Sequence, residues 1–179
     1  MRRPIIPLAA GALLALLAPA TARAGEHPWH LGGSLGYSSL FGGPSAQGFG
    51  GGVHAAYGLN DMFNLMGTVD VTAHPTGPWL IWSGAVGATY VVDVLEWVPY
   101  VGALAGGAAL IAMDPKCGAS IAEPCRAFRL DLEVPFGLDY QVSRRFSVGL
   151  AGRLRVLLLG DNPWMTLGVF ARAEATWGY

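Results

Sequence analysis

From Phe128 to Tyr140 apolar and non-apolar positions alternate without a break: Phe128, Leu130, Leu132, Val134, Phe136, Leu138 and Tyr140 stand against Arg129, Asp131, Glu133, Pro135, Gly137 and Asp139. A period of two puts the first set on one face of a β-strand and the charges on the other, whereas a helix would scatter the charges around its circumference. The period returns from Leu167 to Tyr179, where Leu167, Val169, Ala171, Ala173, Ala175, Trp177 and Tyr179 hold the odd positions. It also runs from Phe146 to Gly160, with Phe146, Val148, Leu150, Leu154, Val156 and Leu158 opposite Ser147, Gly149, Ala151, Arg153 and Arg155.

Upstream, Trp29 to Ser39 sets Trp29, Leu31, Leu35 and Tyr37 against His30, Gly32, Ser34, Gly36 and Ser38. Gly48 to Leu59 sets Phe49, Val53, Ala55, Tyr57 and Leu59 against Gly48, Gly50, Gly52, His54 and Gly58. Met62 to His74 opposes Phe63, Leu65, Val69 and Val71 to Asn64, Thr68, Asp70, Thr72 and His74. Leu40 to Gln47 reads as a loop, Asn60-Asp61 as a tight turn, and Pro75-Thr76-Gly77-Pro78 as a stop.

Trp79 to Met113 is ambiguous, because Asp93 and Glu96 are its only charges and it could be drawn as a helical hairpin. Each arm would fall short of the ~20 residues a membrane span needs. Drawn as strands, Leu80, Trp82, Val86, Ala88, Tyr90 and Val92 face outward and Ile81, Ser83, Ala85, Gly87, Thr89 and Val91 inward. The following strand, from Val98, is expected to turn Tyr100, Leu104 and Leu110 outward and Val101, Ala103, Ala105, Gly107 and Ala109 inward.

The tally is eight strands, an even number, as in single-chain bacterial barrels, and both termini then lie on one side of the membrane. Composition agrees, since 53% apolar residues with 13% charged ones is far from the soluble average of about 25% charged. A soluble ligand-binding barrel would turn its oily residues inward and its charges outward, and so fails on sidedness.

Met1-Arg2-Arg3, an apolar run from Pro4 to Ala20, and Ala22-Arg23-Ala24 have the layout of a secretory signal. The expectation is cleavage after Ala24, giving a signal peptide at 1–24 and a barrel domain at 25–179; a retained anchor helix is the rival, against which Pro7, Gly11 and Pro19 speak. Cleavage removes three of eleven basic residues, leaving eight against twelve acidic ones and a formal charge of −4. Nothing in that balance attracts nucleic acid.

Aromatic residues collect at the expected strand ends. Trp29, Tyr57, Phe63, Tyr90, Trp97, Tyr100, Tyr140, Phe146, Trp177 and Tyr179 fall at the ends nearer the termini, and Tyr37, Phe49, Trp79, Trp82, Phe128 and Trp164 at the other. These are the interfacial girdles of a transmembrane barrel.

Together these features resemble the small outer-membrane β-barrel group, the outer membrane protein A/X/W-type barrels, over essentially the whole mature chain. Pro99-Tyr100-Val101-Gly102 with Gly106-Gly107 is similar to that group's Pro-Tyr glycine-rich strand, and Gly137-Leu138-Asp139-Tyr140 through Ser143 to Ser147-Val148-Gly149 to its penultimate hairpin. Trp177 and Tyr179 resemble its closing assembly signal, although Glu174 stands where the group favours Gly. The resemblance implies an up-and-down eight-stranded antiparallel barrel in a bacterial outer membrane, with termini in the periplasm. Its implied partners are outer-membrane lipid and, during biogenesis, periplasmic chaperones and the barrel assembly machinery. It identifies a fold group and not an activity.

The candidate chemistry lies inside. If the penultimate hairpin turns at Gln141 to Arg145 with Tyr140 opposite Phe146, Glu133 falls opposite Arg153 and Asp131 opposite Arg155. With Arg129, Arg172 and Glu174, they would form one interior charge network. An eight-stranded barrel is just wide enough to be filled by side chains, which favours a salt-bridged plug over a pore. Small residues around Ala85 and Ala103 leave a narrow tunnel for small apolar solutes as the alternative.

Cys117 and Cys125 sit in the expected loop Asp114 to Ala127, and export makes a disulfide the expectation, worth about 2–3 kcal/mol in the chain-entropy model. Their spacing matches no zinc motif, and no cofactor or metal is called for. A lipid-modifying enzyme would need a Ser and a base at the rim, and His74 with Ser38 or Ser39 is the pairing to inspect. The expectation is a non-enzymatic structural or surface-interaction barrel, with a small passive channel second and a lipid-modifying enzyme third.

Overall fold

Alternation along each strand is satisfied only if every strand finds two neighbours and the oily faces share one side. The computed structural model, which describes residues 27–42, 45–77, 79–92, 96–113, 126–158 and 163–178, does this by closing a barrel. Its strands are β1 (Trp29–Phe41), β2 (Ala46–Gly58), β3 (Phe63–His74), β4 (Trp79–Val91), β5 (Trp97–Ala112), β6 (Arg126–Ser143), β7 (Phe146–Leu158) and β8 (Trp164–Trp177). Each pairs antiparallel with the next, and β1 pairs with β8 from Trp29↔Trp177 to Phe41↔Met165, so no edge is left unpaired.

Sidedness is decided by exposure. Leu35 is 75% exposed, Val86 68% and Leu150 61%, whereas Asp131 is at 0% and Glu133 at 1%. Oily residues therefore face out and charges in, the arrangement of a membrane barrel and the reverse of a soluble one. Residues 1–26, Cys117, Cys125 and Tyr179 lie outside the described residues, and with them the expected signal peptide, disulfide and last aromatic.

Four sequence-based expectations need correction. On β5 the facing is inverted: Tyr100, Leu104 and Leu110 are buried, whereas Val101, Ala103 and Ala105 are exposed. The reason is visible at Gly137, Tyr100's partner on β6, where a Cβ would come within 2.6 Å of the Tyr100 hydroxyl oxygen. That glycine opens the slot the tyrosine fills.

Second, β6 runs to Ser143 with a bulge between Gln141 and Ser143, so Ser143 rather than Tyr140 faces Phe146 across an Arg144-Arg145 turn. Glu133 is consequently opposite Arg155, and Asp131 opposite Leu157. A slip of two preserves which side chains point inward and changes only which residue stands directly opposite, so the expected Glu133–Arg153 and Asp131–Arg155 pairs persist at 3.8 and 3.9 Å. Third, Trp79 pairs with inward His74 and Trp164 with inward Leu157, so neither belongs to the outer girdle, and nor does Tyr100. Fourth, the loops are shorter than expected: Leu40, Phe41, Ala46 and Gln47 belong to β1 and β2, and Arg126 and Ala127 to β6.

The girdle at the end nearer the termini is built of paired rings. Trp29 lies 4.9 Å from Tyr57, Phe63 5.3 Å from Tyr90 and Trp97 5.0 Å from Tyr140, centroid to centroid. Trp177, from the expected assembly signal, faces Trp29 across the closing seam.

Candidate functional site

The inner face carries the chain's buried polar side chains, and closure stacks them in layers along the barrel axis. Nearest the termini, Glu174 on β8 accepts hydrogen bonds from His30 Nδ1 at 2.8 Å and His54 Nε2 at 2.9 Å. His54 and Glu174 both pair with Gly32, one from each side, and a Cβ there would fall 2.5 Å from His54 Nε2. The missing side chain lets the two meet across β1. Arg172 pairs with Glu174 and, through Nε, with Asp139 Oδ2 at 3.3 Å, its guanidinium 4.6 Å from the Tyr100 ring centre. A cavity of 70 Å³ lies at this mouth, bordered by His30, Asn64, Thr89, Asp139, Arg144 and Thr176.

The next layer is the densest in charge. Arg155 donates from Nε to Glu133 Oε2 at 3.0 Å, and from Nη2 to Glu133 Oε2 at 2.7 Å and Asp70 Oδ2 at 2.6 Å, with Ser83 as a further partner. Arg153 pairs with Asp70, donates to Ser34 Oγ at 2.8 Å, and lies 4.8 Å from the Phe170 ring centre. Asp131 stands 3.9 Å from Arg155 Nε. Such a set is retained only when most of its charges are satisfied together, because a buried charge stripped of its partner is destabilising by about 3–5 kcal/mol.

Alongside, Ser38 Oγ and His74 Nε2 are 3.1 Å apart, both buried, with a 20 Å³ void beside them that reaches Asp70 and Arg153. That void is about the size of one water. The third layer is apolar. Leu40, Ala46, Ile81, Ala108, Leu110 and Leu157 form one cluster, and Trp79, Ala127 and Trp164 pack against it. Trp79 and Trp164 meet edge to face at 5.5 Å, and Arg129 lies over Trp164 at 4.7 Å.

The seven charged residues expected to share one zone are thus divided among three. Asp131, Glu133, Arg153 and Arg155 meet in the middle, Arg172 and Glu174 sit toward the termini, and Arg129 is at the far rim. Asp70, Asp139, His30 and His54 complete the two charged layers and escaped the sequence reading. Their inward position was readable from alternation. What was missing was closure, which brings Asp70 to Arg155 across 85 residues and His54 to Glu174 across 120.

The wall where an apolar tunnel was the alternative to filling is occupied. Leu104, inward after all, packs with Ala56, Met66 and Ala85. The Ser38–His74 pair has hydrogen-bond geometry, but both side chains are buried on the inner face of the wall, opposite the face that meets lipid, where an acyl substrate would arrive. Among the described residues, no group of three or more His, Cys, Asp or Glu side chains could hold a metal ion.

The backbone decides the likeness. Neisserial surface protein A, NspA, superposes with a TM-score of 0.65 at 18% identity, over 82% of this chain and 96% of that one. The fold is that of the small outer-membrane barrels. Ail, the attachment invasion locus protein of Yersinia pestis, matches at a TM-score of 0.51 and 14% identity, over 86% of this chain and 100% of the other. The outer membrane protein OprG of Pseudomonas aeruginosa matches at 0.51 and 11%, over 88% and 98%. No protein-family model and no curated protein matches the chain.

Proposed function

We propose that this chain is an integral barrel of a bacterial outer membrane, exported by a signal peptide cut after Ala24, with termini in the periplasm. In this reading its lumen is closed, and it acts through its walls and surface as a structural or surface-interaction protein rather than by conduction or catalysis. The observation that supports it is the stacking of side chains across the lumen, two ion-paired layers and an apolar one of Leu40, Leu110, Leu157, Trp79 and Trp164. The names of two structural neighbours, a surface protein and an attachment invasion locus protein, fit a surface role. Biogenesis would run through periplasmic chaperones and the barrel assembly machinery, with Trp177 and Tyr179 in the closing signal.

Single-channel recording on the refolded chain 25–179 in a planar bilayer tests this. Wild type is expected to be silent, and a Leu110→Ala/Trp164→Ala variant, which thins the apolar layer, to show brief openings. Steady wild-type conductance altered by Asp131→Ala or Glu133→Ala would favour the channel. That second reading has its own observation, since the 70 and 20 Å³ cavities lie in successive polar layers of the lumen.

A further inference from the structure

The outer wall is not uniform. On β6 and β7 it is upholstered by Leu130, Leu132, Phe136, Leu138 and Leu150, all well exposed. Across β8 and β1 to β5 the belt mixes exposed leucines and valines with outward glycines and alanines, and there the wall carries a groove of 890 Å³. Gly33, Gly67 and Gly84 lie in its floor, each pointing outward, while Val53, Val69 and Val86 rise from it, more than half exposed. A Cβ at any of those three glycines would meet its nearest neighbour no closer than 3.6 Å, so the hollow is open space rather than a tight strand contact.

Toward the termini the groove reaches Ala175 and Phe146, just inside the ring formed by Trp29 and Trp177. Arg144 and Arg145, both exposed, make the turn directly before Phe146, and the Arg145 carbonyl accepts from Thr176 N at 3.0 Å, which fixes that turn beside the groove's end. Among the described residues the exposed carboxylates of this rim are Asp61, at the β2–β3 turn, and Glu96, engaged by Tyr140 Oη at 3.1 Å. An apolar trough that ends at Phe146, with the two exposed arginines of the adjoining turn at headgroup level and Arg144 also bordering the lumen mouth, is complementary to one kind of occupant.

We propose that this wall holds an anionic phospholipid from the leaflet on the side of the termini, its acyl chains along the Gly33–Gly67–Gly84 floor and its phosphate at Arg144 and Arg145. The inference rests on the membrane-barrel reading above. Guanidinium groups recognise phosphate by charge-assisted, often bidentate hydrogen bonds, and small residues let an acyl chain approach the wall closely. A second copy of the chain is the competing occupant.

The test is spin-label electron paramagnetic resonance on the chain 25–179 in phosphatidylcholine vesicles, with labelled phosphatidylglycerol or phosphatidylcholine as probe and barrel insertion followed separately by heat-modifiable gel mobility. Labelled phosphatidylglycerol is expected to be immobilised several-fold more strongly than phosphatidylcholine, and Arg144→Gln/Arg145→Gln to bring the two probes to near-equal immobilisation. Gly33→Leu/Gly67→Leu/Gly84→Leu, which fills the groove where space is open, is expected to insert normally and immobilise fewer lipids of either kind. Failure of wild type to insert would overturn the membrane reading itself. Normal insertion with equal immobilisation of the two probes, or a groove-filled variant indistinguishable from wild type, would overturn the lipid site. Cross-linked dimers that vanish in the groove-filled variant would assign the wall to a second copy instead.

Discussion

The β6–β7 and β4–β5 hairpins obey the same two-residue period, yet the first announces its inside and the second conceals it. On β6, Asp131 and Glu133 cannot face lipid, so every other residue of the strand is assigned by them. On β5 no charge anchors the pattern: Tyr100, Leu104 and Leu110 look like lipid-facing residues and fill the lumen, while Ala103 and Ala105 face out. Charge is an unambiguous marker of facing in a membrane, because placing it in hydrocarbon is costly; size is not, because both lipid and lumen accept a leucine.

The sharpest way to break this comparison is to attack the charged side. Arg155→Met leaves Glu133 and Asp70 without their shared guanidinium and is expected to lower unfolding stability by about 3–5 kcal/mol, read from urea unfolding in lipid vesicles. Adding Glu133→Gln should recover part of that loss. Next come facing tests on both hairpins: Leu132→Arg and Ala103→Arg should each cost about 2–4 kcal/mol, since each presents a charge to lipid near mid-bilayer. A well-tolerated Ala103→Arg would return β5 to the facing its sequence suggested.

Leu104→Ala should cost about 2 kcal/mol by leaving a cavity against Met66 and Ala56 in the lumen, whereas a lipid-facing Leu104 would lose much less, because lipid fills the gap. The smallest effect is expected at Ser38→Ala, about 1 kcal/mol, from the lost hydrogen bond to His74. A larger penalty, or a lipid-hydrolysing activity that this change abolishes, would put chemistry back into that pair.

How much was legible follows the same division. Strand number, order and, on every strand but β5, sidedness were written in alternation, and the inward positions of Arg153, Arg155, Arg172 and Glu174 with it. The two expected ion pairs are present, Glu133 with Arg153 at 3.8 Å and Asp131 with Arg155 at 3.9 Å, but the exact register and the shorter contacts were not legible. The bulge at Gln141–Ser143 shifted Glu133 onto Arg155, and a bulge is a backbone event without a reliable residue signature. Asp70 and His54 joined the network only through closure, which juxtaposes strands far apart in sequence. The glycines were visible, but which opened a slot for a neighbour, as Gly137 does for Tyr100, depends on register.

The seam between β1 and β8 also bears on the order of events during assembly. Glu174 meets His30 across 144 residues of chain and His54 across 120, over a gap that Gly32 leaves open. Until the last strand arrives, the two histidines lack this carboxylate and one edge of β1 is an exposed template. The histidines therefore act as a closing latch set at the slowest kind of contact, the one joining the two ends of the chain. A chain truncated before β8 would have seven strands, an unpaired β1 edge and an unlatched lumen.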